Sequence, residues 1–476
     1  MLIKENRFGK LASRILCVVT ALMFLFISYY SFMDIKVNAS AKFILIGGIF
    51  IMAVLIAIFS YLVNRFLSAK SFLIILLAVG FGMRIVWIMM EKTPPASDFG
   101  VMYRSALKAV RGDFTFLHSP YYSSWVYQLG FTYYEALLLN LFGNQLFMLK
   151  LFNVFFSMGT TVLIYLIARK GLNECSARVA ALLYTLYIPN VLYCSVLTNQ
   201  YISTFMFILG IYFLIGKGLS EKYIWLWIGL ALGMGNMMRP LGSFFLLGMG
   251  VFVFIYMILP FRKKESIYYI KRLAGVLLVY IIFQQLISFG FLQTGLSVKP
   301  LSNQEPYWKF TLGLNAHSNG TWNAEDQRYV NQFKVGQARN QAEKTLVQER
   351  LKDRKGVIRL FGNKFKAFWG KPDAGPYWAF RGLKQPILQL SLVIYERLMY
   401  IVSCLLIIGN VLLMKKENKL LPLLCIFAAG YAAVHLVIEI QTRYRFDILP
   451  VLFLLAGYGV YGFKQYIQDK LINRLN

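Results

Sequence analysis

Acidic residues are scarce in this chain, with 21 Asp and Glu against 50 Lys and Arg, and charged residues of both signs make up only 15% of 476 residues. So little charge excludes an ordinary soluble domain, because hydrophobic residues reach 58% and mean hydropathy is +0.57. Domain cores stop growing at a few hundred residues, so a soluble fold of this length cannot hide that much apolar surface. Histidine is rarer still: the three, His118, His317 and His435, are dispersed. The five cysteines are scattered without zinc or disulfide spacing, and no paired acidic ligands for a metal appear. No phosphate-cradling glycine loop and no Ser/His/Asp arrangement occurs either. The formal charge of +29 does not imply nucleic acid, since the basic residues punctuate apolar runs instead of forming one face.

What is present is a series of apolar runs of bilayer-crossing length. About twelve spans are expected, at roughly 11–33, 41–63, 72–90, 147–168, 177–197, 200–216, 223–238, 242–260, 271–293, 387–414, 420–440 and 446–464. The first is far longer than a signal-peptide core and lacks a small-residue cleavage pattern, so a retained helix is expected. Alternate loops are basic (Lys4/Arg7/Lys10/Arg14, Arg65/Lys70, Arg262/Lys263/Lys264, Lys415/Lys416/Lys419), which puts both termini in the cytoplasm of a multi-pass cell-membrane protein. Residues 121–142 have the length of a further span. Gln128, Glu135, Asn140 and many aromatics fit a helix lying along the outer surface instead.

The expected organisation is all-α and polytopic. Residues 1–71 hold two N-terminal spans, 72–293 a core with an outer loop at 91–146, 294–386 a mainly helical extracytoplasmic domain, and 387–476 the last spans. In that domain Asn323, followed by Glu325 and Asp326, opens a long helix reaching about Asp353, and a second helix runs from Val357 to Trp369.

Asp98 is the distinctive acid. It follows the third span across a short connector, which puts it just above the membrane face, and an amphipathic stretch begins after it. Two readings compete there: a helix N-cap, and a general base at the lipid–water boundary.

An ordered set of short motifs bears on that choice. Ser97-Asp98-Phe99 follows an apolar span; Ser119-Pro120-Tyr121-Tyr122 and a helix ending Leu141-Phe142-Gly143 come next. Leu197-Thr198-Asn199, Met238-Arg239-Pro240 and Arg443-Tyr444-Arg445 complete the series. In this order they resemble the membrane glycosyltransferases of the GT-C fold, in the protein O-mannosyltransferase and aminoarabinose transferase branch. The similarity covers about 90–260 and 435–460. It implies a polyprenyl-phosphate-linked sugar as donor and an acceptor outside the membrane (cell-envelope polymer, glycolipid or protein), with the bilayer as the other partner and no nucleic acid. Asp98 matches the family's acidic residue, which acts as catalytic base or orients the acceptor. Three positions depart from the pattern: Phe99 stands where the mannosyltransferases have a glutamate, Asn199 where the aminoarabinose branch has an acid, and Tyr121 to Trp125 where that branch has a lysine.

Transfer from such a donor makes phosphate the leaving group, whose growing charge needs fixed cations. Arg443 and Arg445, with Arg239 behind them, are the candidates at outer span ends, against a bland reading of snorkelling to headgroups. Arg84, deeper in the third span, is expected to pair with an internal acid. Trp308 and Trp322 are candidate sugar contacts because they lie in the irregular part of the outer domain, and Asn199 is a candidate for sugar or acceptor. No metal is expected. Two other classes share parts of the pattern: a lipid-linked sugar flippase or transporter, and a polysaccharide polymerase or ligase.

Overall fold

The computed structural model describes residues 7–35, 39–381, 385–413 and 420–475. The protein is helical, and the only pairing of extended backbone among these residues is one isolated bridge between Trp125 and Asn303. Nine helices among the described residues are long and apolar enough to cross a bilayer. Helix Ala69–Met90, at 22 residues, has a length of about 33 Å, matching a hydrocarbon core of about 30 Å.

The remaining expected spans differ in form. Residues 177–197 fall on a pair of helices, Glu174–Leu186 and Ile188–Ser195, bent by 58° where Pro189 interrupts the ladder. Residues 223–238 and 242–260 fall on shorter apolar helices, Ile224–Met238 and Gly242–Ile258. The basic cluster Lys415/Lys416/Lys419 and Lys4 lie outside the described residues.

Residues 121–142 form no single helix. They break at Trp125–Gln128 into a short helix, Pro120–Ser124, and a longer one, Leu129–Phe142. The latter has 14 residues, about 21 Å and too short to cross upright. Gly130 lets it sit directly on the chain at Met237, whose carbonyl oxygen would lie 2.2 Å from an added Cβ.

The expected long helix after Asn323 is also broken. Asn323 does cap its start, accepting from the backbone of Glu325 and Asp326 at 2.8 and 2.9 Å. The chain then divides into Ala324–Val330 and Gln337–Lys352, parted at Gly336 with φ +122°. That backbone conformation suits only glycine and cannot continue a right-handed helix. The next helix is Arg354–Phe365, followed by a π-turn at Lys366–Gly370.

The 294–386 region is bolted to the membrane bundle at the end of helix Leu420–Val437. Lys364 is buried and donates to the carbonyls of Gly313, Leu436 and Ile438 at 2.6, 2.8 and 2.7 Å. It thereby caps carbonyls that a helix end leaves unpaired. Gly313 packs so closely there that an added Cβ would lie 2.3 Å from Val437 and Ile438 backbone atoms.

Arg84 is fully buried, but its partners are not acidic. It donates to Ser157 Oγ at 3.0 Å and to the carbonyls of Gly80 and Thr185 at 3.0 and 3.1 Å. Neighbouring helix backbone near a bend supplies what a carboxylate was expected to give.

Glu343 in helix Gln337–Lys352 is buried with neither carboxyl oxygen bonded among the described residues. Burial, and then Glu305 beside it, push its carboxyl up to about 8 against the pull of Arg339. The folded protein thus keeps a proton that an unfolded chain releases near about pH 4.3, so stability falls as pH rises from there and levels off above about 8. Melting temperature is expected to decline between about pH 6 and pH 8.5, and Glu343→Gln is expected to flatten most of that decline. A wild-type melting temperature constant across the range contradicts this.

Candidate active site

The connector after helix Ala69–Met90 is pinned before it reaches Asp98. Lys150, buried on helix Leu146–Gly171, donates to the carbonyls of Glu91 and Thr93 at 3.3 and 3.2 Å. Thr93 in turn donates to the Ala379 carbonyl at 2.8 Å and meets Ser195 Oγ at 2.9 Å. Ser97 then adopts φ +52°, a left-handed conformation that costs a non-glycine residue about 1–2 kcal/mol. It starts helix Ser97–Val110 with Asp98 in the first turn.

Asp98 does not cap that helix. The N-cap position is Ala96, and no side chain caps it. The carboxylate is partly exposed and has no hydrogen-bond or ion-pair partner among the described residues. A carboxylate held by its backbone, with both oxygens unengaged, is available to take a proton.

The next residue leads to the cation. Phe99 is buried, with Trp378 edge-on at 5.6 Å, and the guanidinium of Arg443 lies 5.1 Å from its ring centre. The same guanidinium lies 5.2 Å from Trp378 and 5.4 Å from Tyr444. Arg443 is only 9% exposed and makes no ion pair among the described residues, and its Nε has no partner.

Its neighbours are committed elsewhere. Arg443, Arg445 and Asp447 belong to a 3₁₀ helix, Thr442–Ile448. With about three residues per turn, positions two apart point about 120° away from each other. Arg445 therefore turns into the bundle, to Asp373 at 3.5 Å and the Trp369 carbonyl at 3.2 Å, with Tyr400 beneath it at 5.0 Å. Burial pushes Asp373 up to about 6, against the pull of Arg445. Arg397 shares Tyr400 and pairs with Glu396 at 2.7 Å, completing a buried, charge-balanced cluster. Arg239 pairs with Asp447 at 3.0 Å and reaches Asn199 Oδ1 at 3.4 Å, while Asn199 donates to the Met238 carbonyl at 2.9 Å. Lys309 pairs with Glu439 and lies against Tyr444. Burial opposes ionisation of Glu439, but Lys309, with Gln441 and Arg443 adding to it, holds the carboxyl below the usual range.

The fold thus brings Asp98, Arg443, Arg445, Arg239 and Asn199 to one end of the bundle. Trp308 is packed elsewhere: it is 3% exposed, in a small core with Leu312 and Val330. Trp322 is 55% exposed and makes no ring contact among the described residues. Trp378 packs against Phe99 and Arg443 but passes, in sequence, for an interface anchor; only those contacts separate it from the other outer aromatics. Among the described residues no three His, Cys, Asp or Glu gather as metal ligands.

Residues 129–288 match the family model of dolichyl-phosphate-mannose-protein mannosyltransferase. The resemblance to GT-C membrane glycosyltransferases is borne out. No curated protein matches the chain. Among solved structures, the crystal structure of ArnT from Cupriavidus metallidurans bound to undecaprenyl phosphate is a distant likeness, at 11% identity and a TM-score of 0.35, covering 83% of this chain and 78% of that one. The GT-C family match spans Asn199 and Arg239 but neither Asp98 nor Arg443, so those two stand on geometry.

Arg443 and Arg445 are separable by stability. Arg445→Met strands the buried Asp373 and is expected to cost about 3–5 kcal/mol. Arg443→Gln loses only ring contacts, about 1–2 kcal/mol. Equal losses in thermal denaturation of the purified protein contradict the assignment of Arg443 as the uncommitted cation.

Proposed function

We propose that this membrane glycosyltransferase moves a sugar from a polyprenyl-phosphate carrier to an acceptor outside the membrane, with Asp98 as base and Arg443 as the main phosphate contact. The observation that carries the reading is the pairing of an unpartnered carboxylate with an unpartnered guanidinium on adjoining packing positions, Asp98 preceding the Phe99 on which Arg443 lies.

The chemistry follows from the donor's two halves. A polyprenyl tail lies among apolar helices and presents its phosphate at headgroup level. An acceptor hydroxyl attacks the anomeric carbon and gives its proton to Asp98. The bond from that carbon to the phosphate oxygen breaks with its electron pair, so charge grows on phosphate. A fixed guanidinium in a site of low dielectric stabilises that charge more than water does, and its planar donors suit phosphate oxygens. The family matched over 129–288, named for a dolichyl-phosphate-linked mannose, supports this donor class.

In this reading Arg239 and Arg445 are supporting cations, since each first neutralises a buried acid. Asn199 orients Arg239, exposed Trp322 is available for sugar or acceptor, and Trp308 is a packing residue. The site end of the bundle and the 294–386 region face the cell exterior, with both termini cytoplasmic.

The test is release of polyprenyl phosphate from a labelled lipid-phosphate sugar by purified protein. Asp98→Asn is expected to lower release by about 10²–10⁴-fold, with melting temperature unchanged because no bond to the carboxylate is lost. Activity retained in Asp98→Asn removes the base assignment; an intact donor with the wild type points to a flippase.

A further inference from the structure

The guanidinium of Arg443 rests on ring faces, which attract it without fixing the direction of its donors. Its aim therefore has to come from the backbone that carries it. Two side chains from other helices hold that backbone. Gln200, the first residue of helix Gln200–Tyr212, donates through Nε2 to the Arg443 carbonyl at 3.1 Å. Tyr431, on helix Leu420–Val437, donates its hydroxyl to the next carbonyl, that of Tyr444, at 2.6 Å. Holding successive carbonyls fixes two peptide planes, and with them the direction in which Arg443 leaves the 3₁₀ segment. The approach to the segment is held from the outer domain, where Glu439 N and Ile440 N each donate at 2.8 Å to the carbonyls of Lys309 and Gly320.

Gln200 is the more informative of the two side chains. It is 1% exposed, and its amide is fully engaged. The same Nε2 donates to Asp447 Oδ1 at 3.2 Å, while Oε1 accepts from Thr198 Oγ1 at 3.3 Å. Turning the amide over would set its oxygen against a carbonyl and a carboxylate, so only one orientation fits.

A buried amide often does no more than tie two helices together, and this chain has such cases. Asn153 donates to the Val196 carbonyl at 2.9 Å, and Asn410 to the Leu455 carbonyl at 2.7 Å. Neither carbonyl belongs to a residue of the site. Both acceptors of the Gln200 amide nitrogen lie instead on Thr442–Ile448, and one of them is the peptide of the uncommitted cation.

We propose that Gln200 is a positioning residue for the transfer reaction, whose amide sets the Arg443 peptide so that the guanidinium meets the phosphate of the lipid-linked donor. The proposal rests on the glycosyl-transfer reading above, in which Arg443 is the main phosphate contact. Gln200 touches neither donor nor acceptor and moves no proton; it acts through Arg443. Misplacing a charge-stabilising group by about 1 Å is sufficient to lose about 100-fold in rate.

The experiment is a double-mutant cycle on the full-length protein in lipid nanodiscs: wild type, Gln200→Met, Arg443→Gln and the two combined. It reads single-turnover release of polyprenyl phosphate from a labelled lipid-phosphate sugar, affinity for added polyprenyl phosphate, and melting temperature. Methionine fills the glutamine's volume without its donors. Gln200→Met alone is expected to slow release about 10–100-fold and to weaken polyprenyl phosphate binding. In the Arg443→Gln background the same change is expected to alter both by less than about twofold, because the residue it works through is already gone. An equal loss in either background makes Gln200 a general structural residue and overturns the proposal, whatever the melting temperature does. Release by Gln200→Met within about twofold of wild type overturns it too. Should Gln200→Met fail to fold, Gln200→Asn, which keeps an amide one carbon short of its acceptors, takes its place in the cycle with the same expectations. Wild-type release by Arg443→Gln defeats the phosphate assignment of Arg443 itself, and this proposal with it.

Discussion

A cation taken out of water must be given a counter-charge or a set of carbonyls, because desolvating it alone costs several kcal/mol. The end of the bundle that holds Asp98 obeys this almost everywhere. Carbonyls and a hydroxyl serve Lys150, Lys364 and Arg84, and carboxylates serve Arg239, Arg445, Arg397 and Lys309. Arg443 has only aromatic faces, which attract a cation but leave its donors free. In the proposed function those free donors are where the donor phosphate binds, among Phe99, Trp378 and Tyr444.

The rest of the architecture can be understood as support for that arrangement. A 3₁₀ segment, uncommon at this length, sends Arg443 and Arg445 in different directions, so one arginine neutralises the bundle interior and the other does not. The strained Ser97 and the carbonyls held by Lys150 hold Asp98 at the start of its helix. Gly375–Ala379 delivers Trp378 from the far end of the 294–386 region, and Lys364 fastens that region to the bundle. Rigid placement of this kind is what turns a collection of polar groups into a catalyst.

Much of this was legible from residue order. Hydropathy marked where helices cross, since a bilayer demands about twenty apolar residues whatever their neighbours. The position of Asp98 after the third span, and arginines gathered at span ends from distant parts of the chain, were equally visible. The choice among those arginines was not. It depends on Asp373, Asp447 and Glu439 finding Arg445, Arg239 and Lys309, pairings set by packing between segments 70 to more than 200 residues apart. Trp308 read as a candidate sugar contact because it lies in an irregular stretch, yet it packs in a local core. Gly336 falls inside the long helix expected from Asn323 to about Asp353, and only its backbone conformation shows the break.

The central claim is that a lipid-linked phosphate belongs at Arg443. The most direct measurement is an experimental map of the full-length protein with polyprenyl phosphate bound. The account predicts phosphate oxygens about 3 Å from the Arg443 guanidinium, on the side facing Asp98, with the Arg445–Asp373 and Arg239–Asp447 pairs intact. Phosphate density seated instead on Arg445 or Arg239, with its carboxylate displaced and Arg443 empty, contradicts it.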